Sequence, residues 1–342
     1  MDPGSSAEPL NPHGALDRLA SQRRGGFANL RAAQALADAR VRAATADLAD
    51  LSQDDVSVVM FGSWARRELT DGSDNDWAIL TPQGREHDDD VQELAGHCRA
   101  RFNEDGKAPG AQDMFGVAFP WSPLAQYVGL DDDTNTNLTR RMLMLLESVA
   151  LTGSARDQCW TTILERYLEH GVKDHWPPRF LLNDTIRYWR TICVDFEGKH
   201  ATGGEDDPKW VMRNAKLRTS RTMLFAGGLL PILFCRLREK DEIRGFLAQQ
   251  YAATPVDRVA WAFSQMGLID EGLRCLDAYD EWISMLQDAE IRKAIGALRE
   301  DTRDASPVFE RVRSVGSRLQ RGLLALLFES DLAPEARRFL VF

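Results

Sequence analysis

Val58-Val59-Met60-Phe61-Gly62-Ser63, followed after ten residues by Asp74-Asn75-Asp76-Trp77-Ala78-Ile79-Leu80, is the stretch on which the reading of this chain turns. Val56 to Phe61 is a short β-prone apolar run, which predicts a buried strand. Gly62-Ser63 ends it, Trp64 to Leu69 reads as a short helical turn, and Thr70 to Ser73 as a loop. Asp74 to Leu80 predicts a second strand, stopped by Pro82 and Gly84. Residues i and i+2 of a strand share a face, so Asp74 and Asp76 are expected to project two carboxylates to one side. The plain alternative is a tight turn and a surface loop with two solvated aspartates. It does not account for the apolar Trp-Ala-Ile-Leu that follows Asp76 at once.

Two convergent carboxylates repel unless a cation lies between them. Hard oxygen ligands with one open side suit Mg²⁺, or Mn²⁺, bridging to the phosphates of a nucleoside triphosphate. Gly62 lets backbone approach a phosphate closely, and amides at a helix start together with the Ser63 hydroxyl can donate to it. Arg66 is a candidate for charge-assisted contact with the same anion, and Arg67 is the other, one of the two being expected on the solvated surface.

Outward from this stretch, the 342 residues suggest about two domains. Lys plus Arg number 42 against 52 Asp plus Glu, a net charge of −10, which disfavours a broad duplex nucleic-acid surface. The five cysteines are widely spaced without a CxxC pair, which predicts free thiols and a cytoplasmic protein rather than a zinc ribbon. The segment 1–26 reads as a flexible tail without the apolar core of a signal peptide. The most apolar run, Thr222 to Cys235, is 14 residues long, too short to cross a bilayer. Phe27 to Leu51 and His87 to Phe102 read as helices, Met114 to Phe119 as a third strand. Leu138 to Leu151 reads as a helix capped by Thr136 or Asn137. Beyond Gly153 the pattern is almost wholly helical. The expected fold is therefore α+β: a small mixed-sheet lobe over 27–155 and a mostly α-helical lobe over 156–342.

The ordered combination of apolar strand, Gly62-Ser63, ten residues and Asp74-Asn75-Asp76 within a second strand resembles the nucleotidyltransferase superfamily with the DNA polymerase beta-like catalytic fold. The resemblance covers roughly residues 56 to 80, with a weaker extension through 150. It implies transfer of a nucleoside monophosphate from an NTP to an acceptor hydroxyl with release of pyrophosphate. The metal would lie on Asp74 and Asp76, and Ser63 on the outer phosphates. It also implies a third carboxylate on a neighbouring strand. Asp113, before Met-Phe-Gly-Val-Ala-Phe, is the first choice, and Asp131, Asp132 and Asp133 are the alternatives.

Members of this superfamily commonly face the catalytic sheet with a helical domain whose basic residues reach the triphosphate. Lys199, Arg213 and Lys216 are the candidates by that resemblance, and the competing reading is a solvated basic helix face. Tyr188 and Trp189 could stack on a base, although mid-helix aromatics more often fill a core. The acceptor is expected to be a small molecule, a protein or a nucleotide, the last as in a bacterial cyclic-oligonucleotide signalling synthase. A nucleotide sensor without turnover is the non-enzymatic alternative. The histidines lack metal-ligand spacing, and no membrane partner is expected.

Overall fold

The computed structural model describes residues 11–22, 26–103, 107–109, 114–129, 131–203, 207, 209–299 and 301–341. In the N-terminal part the helices are α1 (Ala15–Ala20), α2 (Ala28–Asp47), α3 (Asp89–Phe102), α4 (Ser122–Gln126) and α5 (Asn135–Leu146). They surround strands β1 (Ser57–Phe61), β2 (Trp77–Thr81), β3 (Ala118–Pro120) and β4 (Ser148–Ala150). The helical part follows: α6 (Ala155–Leu168), α7 (Arg179–Gly203), α8 (Trp210–Lys216), α9 (Thr222–Phe234), α10 (Lys240–Ala252), α11 (Pro255–Gln265), α12 (Ile269–Gln287), α13 (Ala289–Ala297), α14 (Pro307–Phe328) and α15 (Ala333–Val341). The fold is α+β, as the sequence predicts.

The sheet has the order β3-β2-β1-β4. β1 pairs antiparallel with both β2 and β4, and β2 runs parallel to β3, so the sheet is mixed. Its two faces sort by the two-residue period of a strand. Val58, Met60, Trp77 and Ile79 pack on α2 and α3 through Ala37, Leu48, Leu94 and Phe102. Val59, Phe61, Ala78 and Leu80 join the core that runs on through the helical part. The sheet is thus covered on both sides, and the second face ties the two parts together.

Several boundaries differ from the sequence expectation. The helix expected over 138–151 ends at Leu146, and the chain then forms the edge strand β4, with Leu151 N–H donating to the Val58 carbonyl at 2.8 Å. Its N-cap is Thr134, whose hydroxyl accepts from Asn137 N–H at 3.1 Å, not Thr136 or Asn137. Within the expected tail, Ala15–Ala20 form a helix whose Leu16 and Leu19 are buried, packed on α11 and α12. The apolar run lies in a continuous helical path, Trp210–Leu237, of 28 residues. That length and composition would suit a membrane span, yet 72% of its most apolar window is buried inside the protein, as for a core helix. The path is interrupted by a π-helical stretch, Leu217–Arg221, of the kind often found at functional positions.

Candidate active site

The turn after β1 is built around Gly62, which has φ 62°. A side chain there would be strained, and its Cβ would also lie 3.2 Å from Asp76 Oδ2. Only glycine leaves the carboxylate of Asp76 room over the turn. The turn closes through Arg66 N–H to the Gly62 carbonyl at 2.9 Å and Glu68 N–H to the Ser63 carbonyl at 2.9 Å.

Asp74 and Asp76 precede β2 rather than lie within it, but the ladder reaches them: Phe61 N–H donates to the Asp76 carbonyl at 2.8 Å. Asn75 between them turns the other way. Its side chain accepts from Trp64 Nε1 at 3.0 Å and donates to the Phe102 carbonyl at 2.8 Å. That pair of bonds fixes the segment from behind. Asp74 is exposed and Asp76 half-buried, so the pair is open to solvent.

Lys216, at the end of α8, is the helical part's contribution. It interacts electrostatically with both Asp74 and Asp76, and also with Arg221 and Arg66. Burial pushes its ammonium below the usual lysine range. The two aspartates act in the opposite direction and the two arginines add to the lowering. The other two basic candidates are paired within their own part of the chain. Lys199 Nζ lies 2.7 Å from Asp195 of the same helix, and Arg213 is ion-paired with Asp207.

Arg66 lies between two carboxylates. Its half-buried guanidinium is engaged by Glu68 at 2.8 Å and by Glu147, with both carboxylates nearly inaccessible, so two ion pairs within the chain hold it beside the Gly62 turn. Burial raises the Glu68 carboxyl despite Arg66, and the buried Tyr279 of α12 lies close enough to interact with Glu68, Arg66 and Ser220. Ser220 Oγ also accepts from Trp282 Nε1 at 2.8 Å. Ion pairs join Glu147, Arg66 and Glu68, and Tyr279 stands between Glu68 and Ser220 of the π-helical stretch that follows Lys216. The sequence reading missed Glu147. It sits beside Ser148, the partner of Phe61 across the sheet, and a carboxylate directly after the helix is the one local signal of it. Arg67, with φ 58°, pairs instead with Asp38, its Nε 2.7 Å from Oδ1.

Of the third-carboxylate candidates, Asp113 lies outside the described residues. Asp133 is corrected to a structural role: Arg141 donates to it at 3.0 and 2.8 Å and Arg187 at 3.1 Å. Burial alone would raise its carboxyl, but the bonds from Arg141, Gly129 and Arg187 hold it below the usual range. Asp131 and Asp132 are exposed in the loop before α5. Among the described residues no group of three or more His, Cys, Asp or Glu is placed to hold a metal. The Asp76 carboxylate lies over the glycine turn, and it and Asp74 both act on Lys216; hard oxygen donors of this kind are the type that Mg²⁺ takes. Tyr188 is buried, while Trp189 is half-buried and stacked on Phe225. The five cysteines are free thiols, as expected, and burial pushes that of Cys98 up to about 12.

No protein-family model matches the chain, and no curated protein matches it either.

Proposed function

We propose that the chain is a nucleotidyltransferase acting on an NTP. The observation that supports this most directly is the seating of the Asp76 carboxylate over Gly62, with Lys216 of the helical part bearing on both Asp74 and Asp76. Two carboxylates, a glycine cradle and a desolvated cation make a site for a polyanion and its counter-ion. Mg²⁺ or Mn²⁺, held by Asp74 and Asp76, would supply charge neutralisation on the phosphates. Gly62 and Ser63 would receive the outer phosphates, and Lys216 would offset the charge that accumulates on departing pyrophosphate. An acceptor hydroxyl oxygen bonds to the α-phosphorus, and the bond from that phosphorus to pyrophosphate breaks. The hydroxyl proton passes to a carboxylate, for which Asp113 is the candidate the sequence offers. The acceptor is a small molecule, a protein or a nucleotide, and the setting is cytoplasmic.

The test is pyrophosphate release from each of the four NTPs with Mg²⁺ and a cell lysate as source of acceptor. Release that disappears in Asp74→Ala and Asp76→Ala supports the reading. Tight NTP binding with no release and no labelled product would instead identify a nucleotide sensor.

A further inference from the structure

The helices α7 and α9 pack against each other, and two of their aromatic side chains are not fully covered. Trp189 and Phe225 are stacked, with ring centroids 5.0 Å apart and planes 17° apart. Both are half-buried. This is unlike the rest of α9, where every residue from Ala226 to Phe234 is buried.

The pair is tied to the aspartates by a row of cations. One turn before Phe225 on the same helical path stands Arg221, half-buried and without an ion pair among the described residues. Cys193, one turn after Trp189 on α7, interacts with Arg221. Arg221 in turn interacts with Lys216, and Lys216 with Asp74 and Asp76. Along the helical path the order is Lys216, Arg221, Phe225, with Asp74 and Asp76 acting on the Lys216 end and Trp189 stacked at the Phe225 end. From Lys216 to Phe225 the path rises roughly 13 Å at about 1.5 Å per residue. Metal ligands, then cations, then a flat apolar platform is the order of chemistry along a metal-bound nucleoside triphosphate: phosphates first, ring last. A flat ring with a π-face gains by stacking on such a platform without needing hydrogen-bond partners there.

We infer that Trp189 and Phe225 form the nucleobase subsite of the candidate site, with Arg221 and Lys216 carrying the phosphates between them and Asp74 and Asp76. This rests on the nucleotide reading above.

The experiment compares two probes on the full chain with Mg²⁺: ATP, and inorganic tripolyphosphate, which has the charge but no ring. Binding is measured by calorimetry for the native chain, Trp189→Leu and Trp189→Phe. Trp189→Leu is expected to weaken ATP binding roughly tenfold, the scale of one lost base–aromatic stack, and to leave tripolyphosphate binding unchanged. Trp189→Phe is expected to retain most of the ATP affinity. Unchanged tripolyphosphate binding also shows that the leucine variant is folded at the site. The subsite is overturned if Trp189→Leu binds ATP as the native chain does, or loses both probes equally, while the native chain binds both. Failure of the native chain to bind either probe overturns the nucleotide reading itself, and the subsite with it.

Discussion

Two regions use the same residue types for opposite ends. In the first, Arg141 is fully buried and donates to Asp133, to Asp184 at 2.8 Å and to Tyr167 at 2.6 Å. Tyr167 closes the ring by donating to Asp184 at 2.6 Å. Every strong group there finds its partner inside the molecule, and the cluster joins α5, α6 and α7 by itself. In the second, Asp74 and Asp76 stand open to solvent beside Lys216, held by residues around them rather than by each other. Carboxylates and cations that satisfy one another do structural work. Those of the second region stand where solvent reaches them, on a glycine turn, beside an asparagine clamp and a desolvated lysine.

The largest effects should separate the two regions. Asp74→Ala or Asp76→Ala is expected to lower pyrophosphate release on the order of a thousandfold, the scale on which removal of a charge-stabilising group acts. The change in thermal stability should be small, since the relief of like charge is offset by the loss of a carboxylate that favours the buried Lys216 ammonium. Arg141→Met should do the reverse. It leaves Asp133 and Asp184 short of their buried cation and is expected to lower unfolding free energy by about 3–5 kcal/mol in urea titrations. At low temperature, where the variant stays folded, Mg²⁺-dependent ATP binding should survive. If Asp76→Ala unfolds the chain as Arg141→Met does, the two regions are alike and the open one is structural too.

How much of this difference was legible in the sequence follows from the range of the interactions. β1 and β2 are visible because β-prone residues are consecutive, and the placing of Asp74 and Asp76 follows from the short spacing to Gly62. β4 is not visible: Ser148-Val149-Ala150 continues the apolar pattern of α5, and its identity as a strand is decided by pairing with β1, far away in sequence. Arg66 and Arg67 look equivalent as neighbours. The first is captured by Glu147, 81 residues later, and the second by Asp38, 29 residues earlier. Arg187, next to Tyr188 in sequence, turns to Asp133, 54 residues away. Local pattern reveals which groups carry chemistry. Which of them are neutralised inside the fold is a property of distant contacts.

Gly62→Ala sharpens the comparison at intermediate size. A non-glycine residue at φ 62° costs about 1–2 kcal/mol, and here the new Cβ would press on Asp76 Oδ2 as well. Asp76 must move or the turn must open. The expected result is a modest fall in melting temperature with a disproportionate loss of Mg²⁺-dependent ATP binding. Alanine at Gly84, which has φ 87° and open space around it, is the control, expected to share the stability loss without the binding loss.

The smallest effect lies at Lys216 and is read in pH. Burial holds its ammonium below its value in the unfolded chain, so between the two values the unfolded state binds more protons. Stability must then rise with pH across that window, and below it the charged, desolvated lysine weighs against folding. Lys216→Met removes the burden. It is expected to raise the melting temperature slightly at neutral pH and to flatten the rise towards the ordinary lysine value of 10.5, while weakening tripolyphosphate binding. No such trade is expected of Arg141, whose removal harms folding and leaves the open site alone. A Lys216→Met variant that loses stability at neutral pH would show that Asp74 and Asp76 compensate the lysine within the chain. The open region would then be as self-satisfied as the closed one.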